Sequence, residues 1–155
     1  MNNQKIGFIG AGNMARSLIG GLISSGIKSN HLFAADPNEE IRNALTRDFS
    51  IQTFAENQQL VESCDVIVFS VKPQALKEVA TALKAKDSAL YITIAAGIPS
   101  ESLNNWLGGN KAIVRAMPNT PSLVLSGASG LFANSGVSEK QKEISESILR
   151  AVGMA

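Results

Sequence analysis

The chain of 155 residues has one cysteine, one histidine and almost no net charge. A single cysteine, Cys64, excludes a disulfide within the chain, and the single histidine, His31, cannot supply the ligand cluster of a metal site. The formal net charge of +1 argues against a nucleic acid or an anionic membrane as a partner. No apolar run reaches the length of a transmembrane helix, and no signal peptide precedes the first predicted strand. We therefore expect a soluble cytoplasmic protein without a metal ion.

The sequence also lacks repeats, low-complexity segments and an obvious linker. Apolar residues make up 45% of the chain and charged residues 17%, which excludes intrinsic disorder. A chain of this length can form one domain with a core of its own. Cys64 directly precedes a predicted apolar strand, so we expect it to pack as a small hydrophobic residue.

Strand and helix patterns alternate along the chain and predict a doubly wound, mostly parallel α/β sheet with helices on both faces. The continuous apolar run at 65–70 is typical of a central parallel strand. Strands are predicted over 5–10, 32–36, 51–54, 65–70, 89–95, 111–117 and 129–133. Helices are predicted over 14–25, 38–47, 58–63, 73–85 and 100–107, and a last helix follows the capping-box residues Ser138 and Gln141, with Gly153 as its C-terminal cap.

The first predicted strand runs directly into a G-x-G-x-x-A turn over residues 10–15, and a helix pattern follows. Gly10 allows a tight turn, Gly12 has no Cβ and lets a phosphate approach the main chain, and Ala15 lets the helix pack close to the strand. The free N–H groups and the positive dipole end of that helix then face the anion. This order predicts a site for the pyrophosphate of a dinucleotide, the alternative being an ordinary turn without a ligand.

Asp36 ends the second predicted strand, 24 residues after Gly12, where an acidic side chain binds the 2′-hydroxyl of an adenosine ribose. Such a carboxylate favours NAD, because it repels the 2′-phosphate of NADP. The same residue opens an Asp-Pro-Asn-Glu sequence, a good helix start with Asp36 as the N-cap. Both interpretations stand, and one carboxylate can serve both. Arg42 and Arg47 lie on the next predicted helix, and nothing in the sequence places them near the ribose.

Three further loops follow predicted strands, at the edge where ligands bind in such sheets. Lys72 is suited to a phosphate or a carboxylate, or is a solvated lysine before a helix that begins with proline. The small residues 95–97 leave room for a planar ring, or form a simple tight turn. Asn119 and Thr120 offer polar groups between two prolines, or are turn residues only.

The strings IGFIGAGNMA, SVKP, IAAGI and RAMPNTP, in this order and spacing, resemble the N-terminal domain of pyrroline-5-carboxylate reductase. The resemblance runs across essentially all 155 residues, and the last motif, with Arg115, is the most specific. It implies a Rossmann-like fold and an NAD(P)H-dependent reduction of the cyclic imine 1-pyrroline-5-carboxylate to L-proline, the last step of proline biosynthesis. Members of this family usually prefer NADPH. Asp36 departs from their polar, uncharged residue at this turn, so NADPH and NADH both stay open.

By position, the resemblance implies cofactor contacts along the whole edge of the sheet. The pyrophosphate and the nearby ribose would contact Ile9, Gly10, Ala11, Gly12, Asn13, Met14 and Ala15. The adenosine and phosphate side would be bordered by Asn57, Val71, Lys72 and Pro73. The nicotinamide would lie by Ala95, Ala96 and Gly97, and its substrate end by Asn119, Thr120 and Pro121.

The family that the chain resembles has a C-terminal helical domain that forms the dimer and holds a substrate loop, and nothing in this chain matches it. We therefore expect residues 1–155 to be the NAD(P)-binding domain of a longer two-domain chain whose full-length form is a homo-oligomer. Hydride addition to a protonated imine needs little acid–base help, and the catalytic residues stay unassigned. The alternatives are another Rossmann oxidoreductase, such as a 3-hydroxyacid dehydrogenase relative, and a non-catalytic nucleotide-binding regulatory module.

Overall fold

A computed structural model of the chain describes residues 3–95, 97–116 and 131–151. Its strands are β1 (Ile6–Ile9), β2 (Leu32–Ala35), β3 (Gln52–Phe54), β4 (Val66–Phe69), β5 (Leu90–Thr93), β6 (Ala112–Ala116) and β7 (Leu131–Ala133). They form one sheet in the order β3-β2-β1-β4-β5-β6-β7. All neighbouring strands are parallel except β6 and β7, which are antiparallel.

The helices connect these strands and cover both faces of the sheet. They are α1 (Asn13–Ser24), α2 (Glu39–Phe49), α3 (Asn57–Ser63), α4 (Pro73–Thr81), α5 (Ser100–Trp106) and α6 (Glu139–Ala151), and a 3-10 turn over Ser29–His31 precedes β2. The chain passes from β1 outward to β3 and then returns to β4 on the other side of β1. The predicted doubly wound fold is therefore confirmed, and its strand order reverses between β1 and β4.

Alternate side chains of the central strands pack into two separate apolar layers. In β1, Ile6 and Phe8 join the layer formed with α1, α2 and α6, whereas Ile9 joins the layer formed with α3, α4 and α5. All four residues of β1, β2, β4 and β5 are buried. Burial of each large apolar side chain contributes about 1.5–3 kcal/mol to stability. Burial on both faces explains why these strands appear in the sequence as continuous apolar runs.

Gly7, in the middle of β1, lets α3 lie close to the centre of the sheet. A Cβ at this position would lie 2.6 Å from Leu60 Cδ2 and 2.7 Å from Cys64 Sγ. Neither neighbour can move away easily, because both side chains are buried. The expectation that Cys64 packs as a small hydrophobic residue is confirmed by this position in the core.

One predicted helix is shorter than its apolar pattern indicated. The pattern extends it to residue 85, but α4 ends at Thr81. The main-chain N–H of Lys84 donates to Gln58 Oε1 at 2.9 Å, and its carbonyl accepts from Gln58 Nε2 at 3.1 Å. These two bonds to a side chain of α3 replace helical bonds, so the chain leaves the helix while Leu83 still packs on the same apolar layer.

The capping box predicted for the last helix is confirmed, because Gln141 N donates to Ser138 Oγ at 3.1 Å and Ser138 N donates to Gln141 Oε1 at 2.9 Å. The predicted cap at Gly153, the end of the sixth strand at Met117 and the start of the seventh at 129–130 lie outside the described residues. Within the described ranges, no helix has the length and apolar character needed to cross a membrane. The same ranges contain no cluster of three or more His, Cys, Asp or Glu side chains suited to a metal ion.

Two buried groups, the Cys64 thiol and the Tyr91 phenol, make the free energy of unfolding depend on pH in the alkaline range. Burial raises the pKa of the Cys64 thiol from 9.0 to about 12 and the pKa of the Tyr91 phenol from 10.0 to about 12. The Tyr91 hydroxyl also donates to Lys86 O at 2.7 Å. In the unfolded chain both groups lose their protons at lower pH than in the folded protein. Their contribution is therefore complete below about pH 9 and is lost as pH rises toward about 12.

We expect the free energy of unfolding to fall through this alkaline range, as measured by urea denaturation at a series of pH values. Cys64→Ala should reduce the slope, because the thiol no longer titrates. Native protein near neutral pH should also resist a thiol reagent that labels Cys64 at once in denaturing urea. Rapid labelling of the native protein would contradict this account of the core.

Candidate functional site

A short turn over residues 10–12 joins β1 to α1 at the carboxyl edge of the sheet, beside the point where the strand order reverses. Gly10 has a φ of 91°, in the left-handed region. A Cβ there would lie 2.8 Å from Val71 Cγ1 and 3.2 Å from the carbonyl carbon of Ser70. Both the backbone conformation and the contact with the loop after β4 therefore require glycine at this position.

Gly12 is a glycine for a different reason. It is the N-cap of α1, with an extended backbone (φ −77°, ψ −163°) that any residue can adopt. A Cβ at Gly12 would have no described atom within 4 Å, so the space in front of it is open. The missing side chain is therefore not needed for packing against the described residues, and it leaves the main chain accessible to a ligand.

No side chain caps the N-terminus of α1, as is also the case for α3, α4 and α5, whereas the N-termini of α2 and α6 are capped. Asn38 caps α2 by accepting from the N–H groups of Glu40 and Ile41, and Ser138 caps α6. The first turn of α1 carries no acidic residue and no side-chain cap. Its N–H groups and its positive dipole end lie next to the open space at Gly12, an arrangement suited to an anion.

Hydrogen bonds from both neighbouring strands hold the turn in place. On the β4 side, Ser70 Oγ donates to Ile9 O at 3.0 Å and to Gly10 O at 2.7 Å. On the β2 side, Gly10 N donates to Ala35 O at 3.0 Å. The turn is therefore fixed by the fold itself. Nothing in the sequence singles out Ser70 for this role except its position as a polar residue ending an apolar run.

Asp36 lies against the glycine turn and does not cap α2. Its Oδ2 accepts from Ala11 N at 3.1 Å, and its Oδ1 accepts from Asn38 N at 2.9 Å. The interpretation of Asp36 as the N-cap is wrong, because Asn38 caps the helix and α2 begins at Glu39. The bond to Asp36 also occupies the N–H of Ala11, so the main-chain donors facing the open space begin after that residue.

The other residues predicted to contact the pyrophosphate have different surroundings. Ile9 and Ala15 are fully buried, and Met14 packs against the core beneath the turn. These three residues therefore support the turn from its core side, whereas Asn13, the first residue of α1, is exposed.

The predicted residues on the neighbouring loops lie at the same edge of the sheet. Val71 packs against Gly10, Lys72 is the exposed N-cap of α4, and Pro73 is its first residue. Asn57 is the half-buried first residue of α3, directly after β3 and Glu56.

The loop after β5 is described only in part. Ala95 is buried, and its N–H donates to Thr93 Oγ1 at 3.2 Å. Gly97 is exposed with a φ of 78°. This geometry is compatible with both interpretations of the loop, a platform for a ring and a simple turn. Outside the described residues lie Ala96, Asn119, Thr120 and Pro121.

Arg16 on α1 and Arg42 on α2, the two helices that follow β1 and β2, make contacts of different kinds. Arg16, in the first turns of α1, pairs with Asp48 and lies over the Phe49 ring at 4.9 Å. Its guanidinium holds the pKa of Asp48 below the usual range. Arg42, on α2, instead donates from Nη1 to the main-chain oxygen of Asp36 at 2.8 Å. This bond to Asp36 could not be predicted from the sequence, because it depends on how α2 packs.

The model of the family described as NADP oxidoreductase coenzyme F420-dependent matches residues 5–97, a range that contains the glycine turn, Asp36 and Lys72. The chain belongs to this family. It is 48% identical to the pyrroline-5-carboxylate reductase of Pseudomonas aeruginosa, and the alignment covers 100% of this chain and 58% of that protein. The chain thus spans a little over half the length of the curated relatives it matches.

Solved structures show the same relationship. The chain is 38% identical to a pyrroline-5-carboxylate reductase from Coxiella burnetii, with a TM-score of 0.86 and coverage of 99% of this chain and 58% of the other. It is 30% identical to a Plasmodium falciparum pyrroline carboxylate reductase with NADP bound, with a TM-score of 0.81 and coverage of 99% and 57%. The resemblance inferred from the four sequence motifs and the Rossmann-like fold is confirmed.

The two glycines of the turn should differ in their effect on stability. We expect Gly10→Ala to lower the free energy of unfolding by about 1–3 kcal/mol, because Ala is strained at this φ and meets Val71. Gly12→Ala should change it by less than about 0.5 kcal/mol, because its backbone is extended and its Cβ enters open space. Urea denaturation followed by circular dichroism measures both, and equal losses would contradict the assignment.

Proposed function

We propose that this chain binds a reduced nicotinamide dinucleotide, NADPH or NADH, as the cofactor-binding domain of a pyrroline-5-carboxylate reductase. The observation that carries the proposal is the open space at Gly12 beside the uncapped N-terminus of α1. In a parallel sheet, ligands bind outside the carboxyl ends of the strands where the strand order reverses, and the turn lies there. The similarity to a relative with NADP bound supports the same choice of ligand.

The residues of the turn fit a pyrophosphate. The N–H groups of Gly12 and of the first turn of α1 would donate to its oxygens, and the helix dipole would favour its charge. Gly10 and Ser70 keep the turn in position before any ligand arrives. Lys72, exposed at the start of α4, would contact a phosphate or the carboxylate of the substrate.

The cofactor would supply a hydride to the imine carbon of 1-pyrroline-5-carboxylate, giving L-proline. The role of this chain in the reaction would be to bind and orient the reactants. Ala95, Ala96 and Gly97 would border the nicotinamide, and Asn119, Thr120 and Pro121 its substrate end. A protonated imine is already electrophilic, so holding the two reacting carbons in line is the main requirement.

We further propose that residues 1–155 form the cofactor-binding domain of a longer two-domain protein. The support is the coverage of the relatives, of which the chain matches 58% of one and 57% of another. The full-length protein would be a cytoplasmic homo-oligomer acting on a small molecule, without a nucleic acid or membrane partner. The residues that complete the substrate site would then lie in the part of the relatives that this chain does not match.

Titration calorimetry of the chain with NADPH and with NADH tests this proposal. We expect at least one of them to bind, and Gly12→Ala to weaken binding by about tenfold or more, because its Cβ occupies the space of the phosphate. Gly20→Ala is the matched control: it lies in the middle of α1, where a Cβ meets Phe49 at an ordinary 3.7 Å.

Failure of both dinucleotides to bind, or equal binding by the wild-type chain and Gly12→Ala, would overturn the assignment. An assay for L-proline formation tests the two-domain proposal separately. We expect the chain to bind a dinucleotide but to form very little L-proline. L-Proline formation by this chain at the rate of a complete relative would contradict the two-domain proposal.

A further inference from the structure

We propose that Ser70 and Asp36 are positioning residues for cofactor binding, because together they fix the orientation of the peptide between Gly10 and Ala11. The inference rests on the proposed function, since this peptide belongs to the turn that would bind the pyrophosphate. It gives the hydroxyl of Ser70 an effect on cofactor affinity that needs no contact between Ser70 and the cofactor.

The Gly10–Ala11 peptide is hydrogen-bonded on both sides by side chains from two different loops. On the β4 side, Ser70 Oγ donates to Gly10 O at 2.7 Å. On the β2 side, Asp36 Oδ2 accepts from Ala11 N at 3.1 Å. The C=O and N–H of a trans peptide point in opposite directions, so the two bonds hold one rigid plane from opposite sides. Turning this peptide over would break both bonds.

The peptide needs such bonds because the residue before it is a glycine. A peptide turns over by rotation about ψ of the residue before it and φ of the residue after it. Gly10, with a φ of 91°, has no Cβ to restrict this rotation. The peptide also lies between two regular elements, because β1 ends at Ile9 and α1 begins at Asn13. Ser70 and Asp36 therefore supply the restraint that a strand or a helix supplies elsewhere.

Both side chains are themselves held by the main chain. The N–H of Ser70 donates to Ile9 O at 2.9 Å, and its hydroxyl lies 3.0 Å from the same oxygen. The second carboxylate oxygen of Asp36, Oδ1, accepts from Asn38 N at 2.9 Å. Both residues are half-buried. The restraint is thus present in the free protein, and a ligand does not have to order the turn when it binds.

The orientation of this peptide bears on an anion at Gly12. The chain runs from Ala11 into Gly12, the N-cap of α1, so the direction of the next N–H groups depends on the peptide before them. A phosphate benefits from these donors only while they point together into the open space. NADH and NADPH share the pyrophosphate, so a loosened peptide should weaken both by the same factor.

Titration calorimetry with NADH and NADPH tests this role, at a temperature where circular dichroism shows every variant folded. We expect Ser70→Ala to weaken each dinucleotide that binds the wild-type chain by about tenfold, because the bond to Gly10 O is lost. Ser70→Thr keeps a hydroxyl and should restore most of the affinity. Ser25→Ala is the matched control, since the Ser25 hydroxyl also donates to a main-chain oxygen, Leu22 O at 2.8 Å, but at the far end of α1. It should change affinity by less than about twofold.

A double-mutant cycle tests whether the two side chains act on one peptide. A peptide held on one side only is free to turn, so either loss removes most of the restraint. Any direct contact of Asp36 with the ribose is lost in both Asp36→Ala backgrounds and cancels. We therefore expect Ser70→Ala to weaken binding by only about two- to threefold when Asp36→Ala is already present, compared with about tenfold in the wild-type chain.

Hydrogen exchange of the Ala11 amide, followed by NMR in the free protein, reports on the peptide directly. This N–H donates to Asp36 and not to Ser70. Ser70→Ala should nevertheless raise its exchange rate by about tenfold, because the other side of the peptide is released. A role of Ser70 in overall stability alone would not single out this amide, and Ser25→Ala should leave its exchange rate unchanged.

Four results would each overturn the inference: wild-type affinity in Ser70→Ala, an equal loss of affinity in Ser25→Ala, independent losses in the double-mutant cycle, or an unchanged exchange rate of the Ala11 amide in Ser70→Ala. Failure of the proposed function is a different result, in which neither dinucleotide binds the wild-type chain. A role in cofactor affinity would then be lost with it, while the exchange rate of Ala11 still decides whether Ser70 holds the peptide.

Discussion

The site depends on the close passage of Gly10 between the loops that follow β2 and β4. Its N–H donates to Ala35 O, and its carbonyl accepts from Ser70 Oγ. A Cβ would meet Val71 at 2.8 Å, so the turn has space for nothing larger than glycine. Because the turn is held on both sides, the direction in which α1 leaves it is fixed as well. The uncapped helix N-terminus is therefore aimed by the packing of the sheet and is ready before a ligand binds.

This arrangement divides affinity and selectivity between different parts of the chain. The proposed pyrophosphate contacts are main-chain N–H groups and a helix dipole, which depend on the course of the backbone and very little on side chains. The pyrophosphate group is chemically identical in NADH and NADPH, so these contacts cannot distinguish the two cofactors. Selectivity has to come from side chains at the ends of the cofactor. Asp36 is a charged group against the glycine turn, where its carboxylate accepts from Ala11 N and its main-chain oxygen accepts from Arg42.

Local patterns in the sequence predicted most of the fold, and contacts between distant residues explain the remainder. Burial on both faces produced the apolar runs of the central strands, and Ser138 with Gln141 marked the start of α6. The side chain of Gln58 ends α4 from 26 residues away, which no local pattern can indicate. In the site, the two glycines were recognisable from their spacing. The bonds of Ser70 to the turn and the place of Arg42 were not, because both depend on how separate strands and helices pack.

The proposed division between binding and chemistry follows from what hydride transfer to an imine requires. Holding two reactants in a productive geometry accounts for about 7–11 kcal/mol of a barrier, and this contribution exists only when both are held. A preformed turn orients one reactant alone. The chain aligns with 58% of the Pseudomonas aeruginosa relative, and the aligned part includes this turn but not the remainder of that protein. If the substrate is held by that remainder, a domain with full affinity for the cofactor would still lack most of the catalytic advantage.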